Sequence, residues 1–166
     1  YGTNGDERTA ADAPAAPAYW LVAGEDELGR RIRSELVVLI DPCENPDGRD
    51  RYLAMLRGFG HQTPTADLED LSHTAVWPWG RSNHYLFDMN RDWMAGTQPE
   101  TRGRWQAVLS FHPQLFVDAH EMGSSDTFLF YPQAEPYNPN LPPKQLEWNK
   151  RYAADAAGAF DAHGWG

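Results

Sequence analysis

Apolar and polar positions follow two periods along this chain, and each predicts a different kind of element. Continuous apolar runs occur at 36–40, Leu-Val-Val-Leu-Ile, and at 115–117, Leu-Phe-Val, each passing into polar sequence at Asp41 and Asp118. Runs of this length and composition read as strands buried on both faces. Residues 84–93 form a further strand-like segment, and Phe-Leu-Phe-Tyr at 128–131 forms another, stopped by Pro132. Helical spacing appears elsewhere. Leu28 and Ile32 lie four apart within the charged stretch 25–35, and Trp105, Val108 and Leu109 follow Thr97, Pro99 and Glu100, a capping box with proline in the first turn. Leu146, Tyr152, Ala153, Ala156 and Phe160 mark a last amphipathic helix.

Punctuation adds the rest. An alanine-rich run from Arg8 reaches Ala23 through Pro14 and Pro17, which predicts a kinked or split helix. Asn4 and Glu7 stand before it with capping-box spacing. Asn45-Pro46-Asp47-Gly48 reads as a tight turn after the first strand. Residues 56–83, with Gly58, Gly60, Pro64, Pro78 and Gly80, show no periodicity and read as a long irregular excursion packed down by Trp77 and Trp79. Helix, strand, loop, strand, helix, strand, strand, helix is the order of an α/β layer architecture, with a mixed, mostly parallel sheet and helices on both faces.

Composition fits one globular domain over residues 1–166, with 41% hydrophobic and 13% aromatic residues. A formal charge of −10 argues against nucleic acid or an anionic membrane as partner. The single Cys43 excludes an internal disulfide or a multi-cysteine metal site. No stretch is long enough to span a membrane as a helix, and no signal peptide opens the chain. A start at Tyr1 and a stop at Gly166 suggest a processed or excised piece of a longer polypeptide.

The candidate chemistry gathers where predicted strands end. His120 closes the strand at 115–117, and alternation places Asp118 on its face, where a carboxylate can orient the imidazole. Arg49 and Arg51 follow the turn at 45–48, and Asn90-Arg91 closes the strand-like segment at 84–93. His61, His73 and His84 lack ligand-like spacing and read as structural or exposed.

Taken together, Asn4-x-x-Glu7, Asn45-Pro46-Asp47-Gly48, Asn90-Arg91 and His120, in that order, resemble the zinc carboxypeptidase family, whose members carry a His-x-x-Glu pair, an Asn-Pro-Asp-Gly turn, an Asn-Arg pair and a later histidine. The resemblance runs from Gly2 to about Pro139. It implies that fold, incomplete here at the C-terminus, and a truncated peptidase catalytic domain. Glu7 and His120 are implied as zinc ligands, and Asn4 occupies the third ligand position, where the family has histidine. An amide oxygen is a poorer zinc donor than imidazole, so metal binding is expected to be weakened. Asn90 and Arg91 are implied to grip the terminal carboxylate of a peptide substrate, because a guanidinium matches a carboxylate with two parallel hydrogen bonds. One of Arg49 and Arg51 is implied as the cation that stabilises the tetrahedral oxyanion. Asp88, two residues before the Asn-Arg pair, reads either as a supporting carboxylate or as a surface acid at a strand end, and Asp118 reads as a supporting carboxylate beside His120. The family's general-base glutamate is expected beyond Gly166, and adjacent Glu121 is not placed in that role.

Two functions follow from the resemblance. One is a metallocarboxypeptidase-like hydrolase, acting on the C-terminal bond of peptides and exported to the periplasm or outside the cell, as such relatives commonly are. The other is a non-catalytic peptide-binding relative that keeps Arg91 and has lost its metal through Asn4.

Overall fold

Asn45 organises the first half of the chain. Its Oδ1 accepts the amide of Gly48 at 2.9 Å, while its Nδ2 donates to the carbonyls of Thr3 at 3.2 Å and Arg81 at 3.0 Å. An asparagine that caps an amide three residues on, followed by proline, starts a helix. In the computed structural model, which describes all residues except 60–62, 64, 74, 75, 124–127, 129, 130 and 166, that helix runs over Pro46–Phe59. The tight turn expected at 45–48 is therefore a helix N-terminus, and residues 56–59 of the expected irregular excursion belong to this helix. His61, Gly60 and Pro64 lie outside the described residues.

The described chain forms two compact units, Tyr1–Glu121 and Met122–Gly166. In the first, residues 8–14 form turns, and α1, Ala15–Ala23, begins directly after Pro14. Pro17 falls in its first turn, where the missing amide hydrogen has no intrahelical partner to lose. Helix α2, Glu27–Glu35, packs back on α1. Asp26 joins the two by accepting the amide of Gly29 at 2.8 Å and the indole N–H of Trp20 at 2.7 Å. Arg33 donates to the carbonyls of Leu21 and Gly24, both at 2.8 Å, which satisfies acceptors left open at the C-terminus of α1. Helix α3 is Pro46–Phe59, described above.

Three backbones cross at Gly5, Gly48 and Gly80. A Cβ at Gly48 would lie 2.3 Å from the carbonyl oxygen of Gly80, and one at Gly5 would lie 2.3 Å from the amide nitrogen of Arg49. Only glycine fits such an approach. Arg51 then ties α3 to the loop beyond it, donating to the carbonyls of Trp79, Ser82 and Asn83 at 3.3, 3.1 and 3.0 Å.

Buried side-chain amides and carboxylates shape the next segment. Asn83 Oδ1 accepts the amides of Tyr85 and Phe87, and its Nδ2 donates to Gln98 Oε1 at 2.9 Å. Asp88 caps a 3₁₀ turn, Met89–Arg91, by accepting the amide of Asn90 at 2.9 Å. Helix α4, Pro99–Phe111, is capped at Gln98 without a side-chain bond, so the capping box expected from Thr97 and Glu100 does not form. Asp92 takes its place, accepting the amides of Thr97 and Gln98, each at 2.9 Å.

The expected α/β fold with a mixed, mostly parallel sheet is overturned: among the described residues no strand forms, and the regular structure is helical. The physical reason lies in the apolar runs themselves. Leu36, Val37, Val38 and Leu39 are exposed, as are Leu115, Phe116 and Val117, and among the described residues no backbone hydrogen bond joins 37–40 or 115–117 to another segment. A continuous apolar run records a tendency to be extended and buried, but a strand exists only when a neighbour pairs with it. Residues 84–93 are also not a strand, because Asn83 and Asp88 draw their amides into turns. Of the expected strand at 128–131, residues 129 and 130 lie outside the described residues.

What is buried in the first unit is chiefly polar: Thr3, Asn4, Asn45, Asn83, Asp92, Gln98, Thr101 and Arg104 accompany Ala10, Tyr52 and Met89. Buried polar groups require partners, so this interior is specified by hydrogen bonds more than by apolar packing. The second unit carries α5, Pro143–His163, the helix expected from the apolar spacing at 146–160. Gly164 ends it in the left-handed region with φ of 70°, and Phe160 packs edge-on against Phe128 and Trp165.

Candidate functional site

The turn carrying Asn4 and Glu7 and the segment carrying His120 meet. His120 Nδ1 lies 3.0 Å from both carboxylate oxygens of Glu7, and Asn4 Nδ2 lies 2.6 Å from Glu7 Oε1 and 3.4 Å from the same ring nitrogen. On the other side of the ring, His120 Nε2 faces Asp118 Oδ2 at 3.3 Å. The same-face relation of Asp118 and His120 thus holds even without a sheet.

Two further bonds fix the approach. The amide of Glu121 donates to Glu7 Oε2 at 3.2 Å. The Glu121 carboxylate in turn accepts the Thr9 hydroxyl at 2.6 Å, the Ala10 amide at 3.0 Å and the Thr9 amide. Glu121 is therefore a clamp on the turns that follow Glu7.

Asn4 does not behave as a helix cap. A cap accepts an amide hydrogen through its side-chain oxygen, whereas Asn4 Oδ1 is buried with no hydrogen-bond partner. Asn4 is 2% exposed, so that unpaired oxygen is costly.

Charge is concentrated on the imidazole. Hydrogen bonds to Asp118 and then Glu7 push the His120 pKa up to about 10, against the opposing effect of burial. Burial would raise the Glu7 carboxyl, but hydrogen bonds from His120 and Asn4 outweigh it and the net shift is downward. Asp118 follows the same pattern, with burial overcome by the hydrogen bond and charge of His120. Each ring nitrogen faces a carboxylate, an arrangement that favours the protonated imidazole.

The donor positions suit a small cation. Bonds of about 2.0 Å to a tetrahedral ion separate neighbouring donors by about 3.3 Å, and the three edges here are 2.6, 3.0 and 3.4 Å. Nitrogen and oxygen of an asparagine amide are assigned from their hydrogen bonds. Turning the amide over brings the partnerless Oδ1 to the vertex that Nδ2 now occupies. The set is then imidazole, carboxylate and amide oxygen, two strong zinc donors and one weak. Among the described residues no three His, Cys, Asp or Glu side chains gather as a metal group, because the third vertex here is an amide. The spacing of these three donors is compatible with a tetrahedral cation, and the amide of Asn4 is the weakest donor of the three.

The arginines divide by what they already hold. Arg49 donates to the Arg8 carbonyl at 3.2 Å and to Asp12 at 2.8 Å, and Arg51 is spent on three backbone carbonyls. Both guanidinium groups anchor backbone or a surface acid. Arg81, which sequence reasoning missed, donates from Nε to Asp88 Oδ2 at 2.8 Å, and its charge acts on Asp6, the residue before Glu7. Asp88 is thus shared between Arg81 and the turn that presents Asn90 and Arg91. Arg91 is exposed, and among the described residues its guanidinium makes one bond, to the carbonyl of Asn90 at 3.0 Å. His73 bonds the Thr65 carbonyl at 2.7 Å, and His84 stands 3.7 Å from Asp47 on the surface.

Behind the site lies a second group that the sequence did not disclose. Arg104 of α4 pairs with Glu44, and Thr3 donates its hydroxyl to the same carboxylate at 2.5 Å. Ion pairs between residues far apart in sequence leave no local pattern.

Comparison with protein-family models, with curated proteins and with solved structures gives no match.

Proposed function

We propose that this chain is a zinc-carboxypeptidase-like hydrolase, with Glu7 and His120 as the principal metal ligands, Asn4 as a weak third, and a peptide bearing a free C-terminal carboxylate as substrate. The observation that supports this reading is the meeting of His120 Nδ1 with both oxygens of Glu7 at 3.0 Å, 113 positions apart in sequence, beside an amide whose oxygen has no partner. Zinc, when bound, would supply a Lewis acid and lower the pKa of a coordinated water. Asp118 orients the imidazole through Nε2, and Glu121 keeps the Glu7 turn against the His120 segment. Arg91, exposed and bonded among the described residues to its neighbour's carbonyl alone, offers donors for a terminal carboxylate. Arg81 suits the oxyanion role better than Arg49 or Arg51, because its terminal nitrogens make no bond among the described residues.

The test combines native mass spectrometry in the presence of zinc with hydrolysis of peptides that have free or amidated C-termini. One zinc per chain, lost in Glu7→Gln, and cleavage confined to free C-termini are the expected results. A protein that takes up no zinc and stays inactive overturns the proposal.

A second reading, a carboxylate-binding relative without catalysis, is favoured by one observation: Asn4 stands where a strong donor is needed. Peptide binding that survives a chelator and disappears in Arg91→Ala supports that reading over the first.

A further inference from the structure

Arg104 is 8% exposed and stacks over Trp93, with its guanidinium carbon 3.6 Å from the ring centre. Its Nη1 meets Glu44 and lies 3.3 Å from the Thr3 hydroxyl. Its Nε and Nη2 are buried with no partner. A buried guanidinium with two idle donors is an anomaly that demands an acceptor. One acceptor nearby has the matching deficit: Asp118 Oδ1 is also buried and without a partner, while Asp118 Oδ2 holds His120. The charge of Arg104 acts on both Glu44 and Asp118 in the direction that favours their ionised forms.

The two anions on which Arg104 acts belong to different ends of the site. Glu44 binds the hydroxyl of Thr3, a fully buried residue that immediately precedes Asn4. Asp118 binds His120, whose opposite nitrogen faces Glu7. We propose that Arg104 is a positioning residue that couples the two halves of the Asn4, Glu7 and His120 cluster. It reaches Asn4 through Glu44 and Thr3, and it reaches His120 through Asp118 by way of ordered water on its idle nitrogens. Water is the bridge because the idle groups are polar, complementary and enclosed, the conditions under which buried water is retained. In its metal-related part this inference rests on the reading of the cluster as a zinc site, but the coupling itself does not require zinc.

The experiment uses the whole chain with Arg104→Lys, which keeps the charge and removes the planar fork, and Arg102→Ala on the same helix as control. The first readout is the His120 ring Nε2–H resonance of the metal-free protein by NMR. It is expected to be protected from solvent exchange in the wild type and in Arg102→Ala, and lost to exchange in Arg104→Lys. Zinc affinity, the second readout, is expected to fall about 10- to 100-fold in Arg104→Lys, the usual effect of removing support behind a ligand. A folded Arg104→Lys protein with an unchanged His120 resonance overturns the proposal. Absence of zinc binding in the wild type, with the resonance behaving as expected, removes the metal reading and leaves the coupling intact. Should Arg104→Lys fail to fold, a wild-type crystal structure decides: water joining Arg104 to Asp118 Oδ1 supports the proposal, and a dry gap between them overturns it.

Discussion

The carboxylate of Glu121 accepts the hydroxyl of Thr9 at 2.6 Å, so the residue next to His120 holds the turns that follow Glu7. Because the same oxygen also serves the Ala10 amide, removing it leaves two or more donors unpaired at once. Glu121→Ala is expected to lower unfolding stability by about 1–2 kcal/mol, measured by urea denaturation. Glu121→Gln, which retains an acceptor oxygen, is expected to recover most of that loss.

Asp92 predicts a dependence on pH. Burial would raise its carboxyl, but hydrogen bonds from the Thr97 hydroxyl and from the amides of Gln98 and Thr97 outweigh it and hold the group well below the usual carboxylate range. A group whose pKa is depressed on folding adds stability above its unfolded value, about 3.9 for aspartate, and loses it as pH falls through the folded value. Asp92→Asn is therefore expected to cost about 1–2 kcal/mol at pH 7, in the range of a lost helix cap. The gap to the wild type should shrink steadily below about pH 4. Denaturation curves for both proteins at pH 7 and pH 3 check this, and a gap that is constant across the two contradicts it.

How far the sequence foretold the molecule depends on whether a feature is local. Helices α2, α4 and α5 are legible because their apolar spacing is local, and α4 also because Pro99 stands in its first turn. Helix α3 was misread, although Asn45 and Pro46 are a capping residue and a first-turn proline, because Asp-Gly drew attention to a turn instead. The apolar runs at 36–40 and 115–117 carry strand-forming residues, but pairing is a property of two segments, and among the described residues neither run has a strand paired with it. In the site, Asp118 and His120 were legible by alternation, and Asn4, Glu7 and His120 only through resemblance. Arg104, Glu44 and Thr3 were not legible at all. A buried pair spanning 60 residues depends on how α4 packs, and no motif records that.

Asn4 supplies the most direct engineering test of the weak vertex. Replacing it by histidine, Asn4→His, exchanges an amide for a strong zinc donor at a position already 3.4 Å from His120 Nδ1. Zinc affinity is expected to rise by roughly two orders of magnitude, on the scale by which a metal site's supporting groups alter affinity. Isothermal titration of both proteins measures it. No rise would mean that the three side chains do not share a cation.

Arg51 and Arg81 should part company on substitution. Arg51→Ala removes three bonds to the loop at 79–83 and is expected to lower stability by about 1–3 kcal/mol. Arg81→Ala gives up one half-buried ion pair with Asp88, worth about 1 kcal/mol. Peptide hydrolysis is expected to fall much further in Arg81→Ala than that stability change explains. Equal losses of activity in the two variants would assign Arg81 a purely structural role.

X-ray absorption at the zinc edge, on protein loaded with one equivalent of metal, reads the cluster itself. Zinc bound by one imidazole nitrogen at about 2.0 Å and by oxygen donors, with the imidazole signal lost in His120→Ala, is the predicted result. A spectrum of fully hydrated zinc, or an imidazole signal that persists in His120→Ala, would contradict the claim that Glu7 and His120 meet in order to hold a metal.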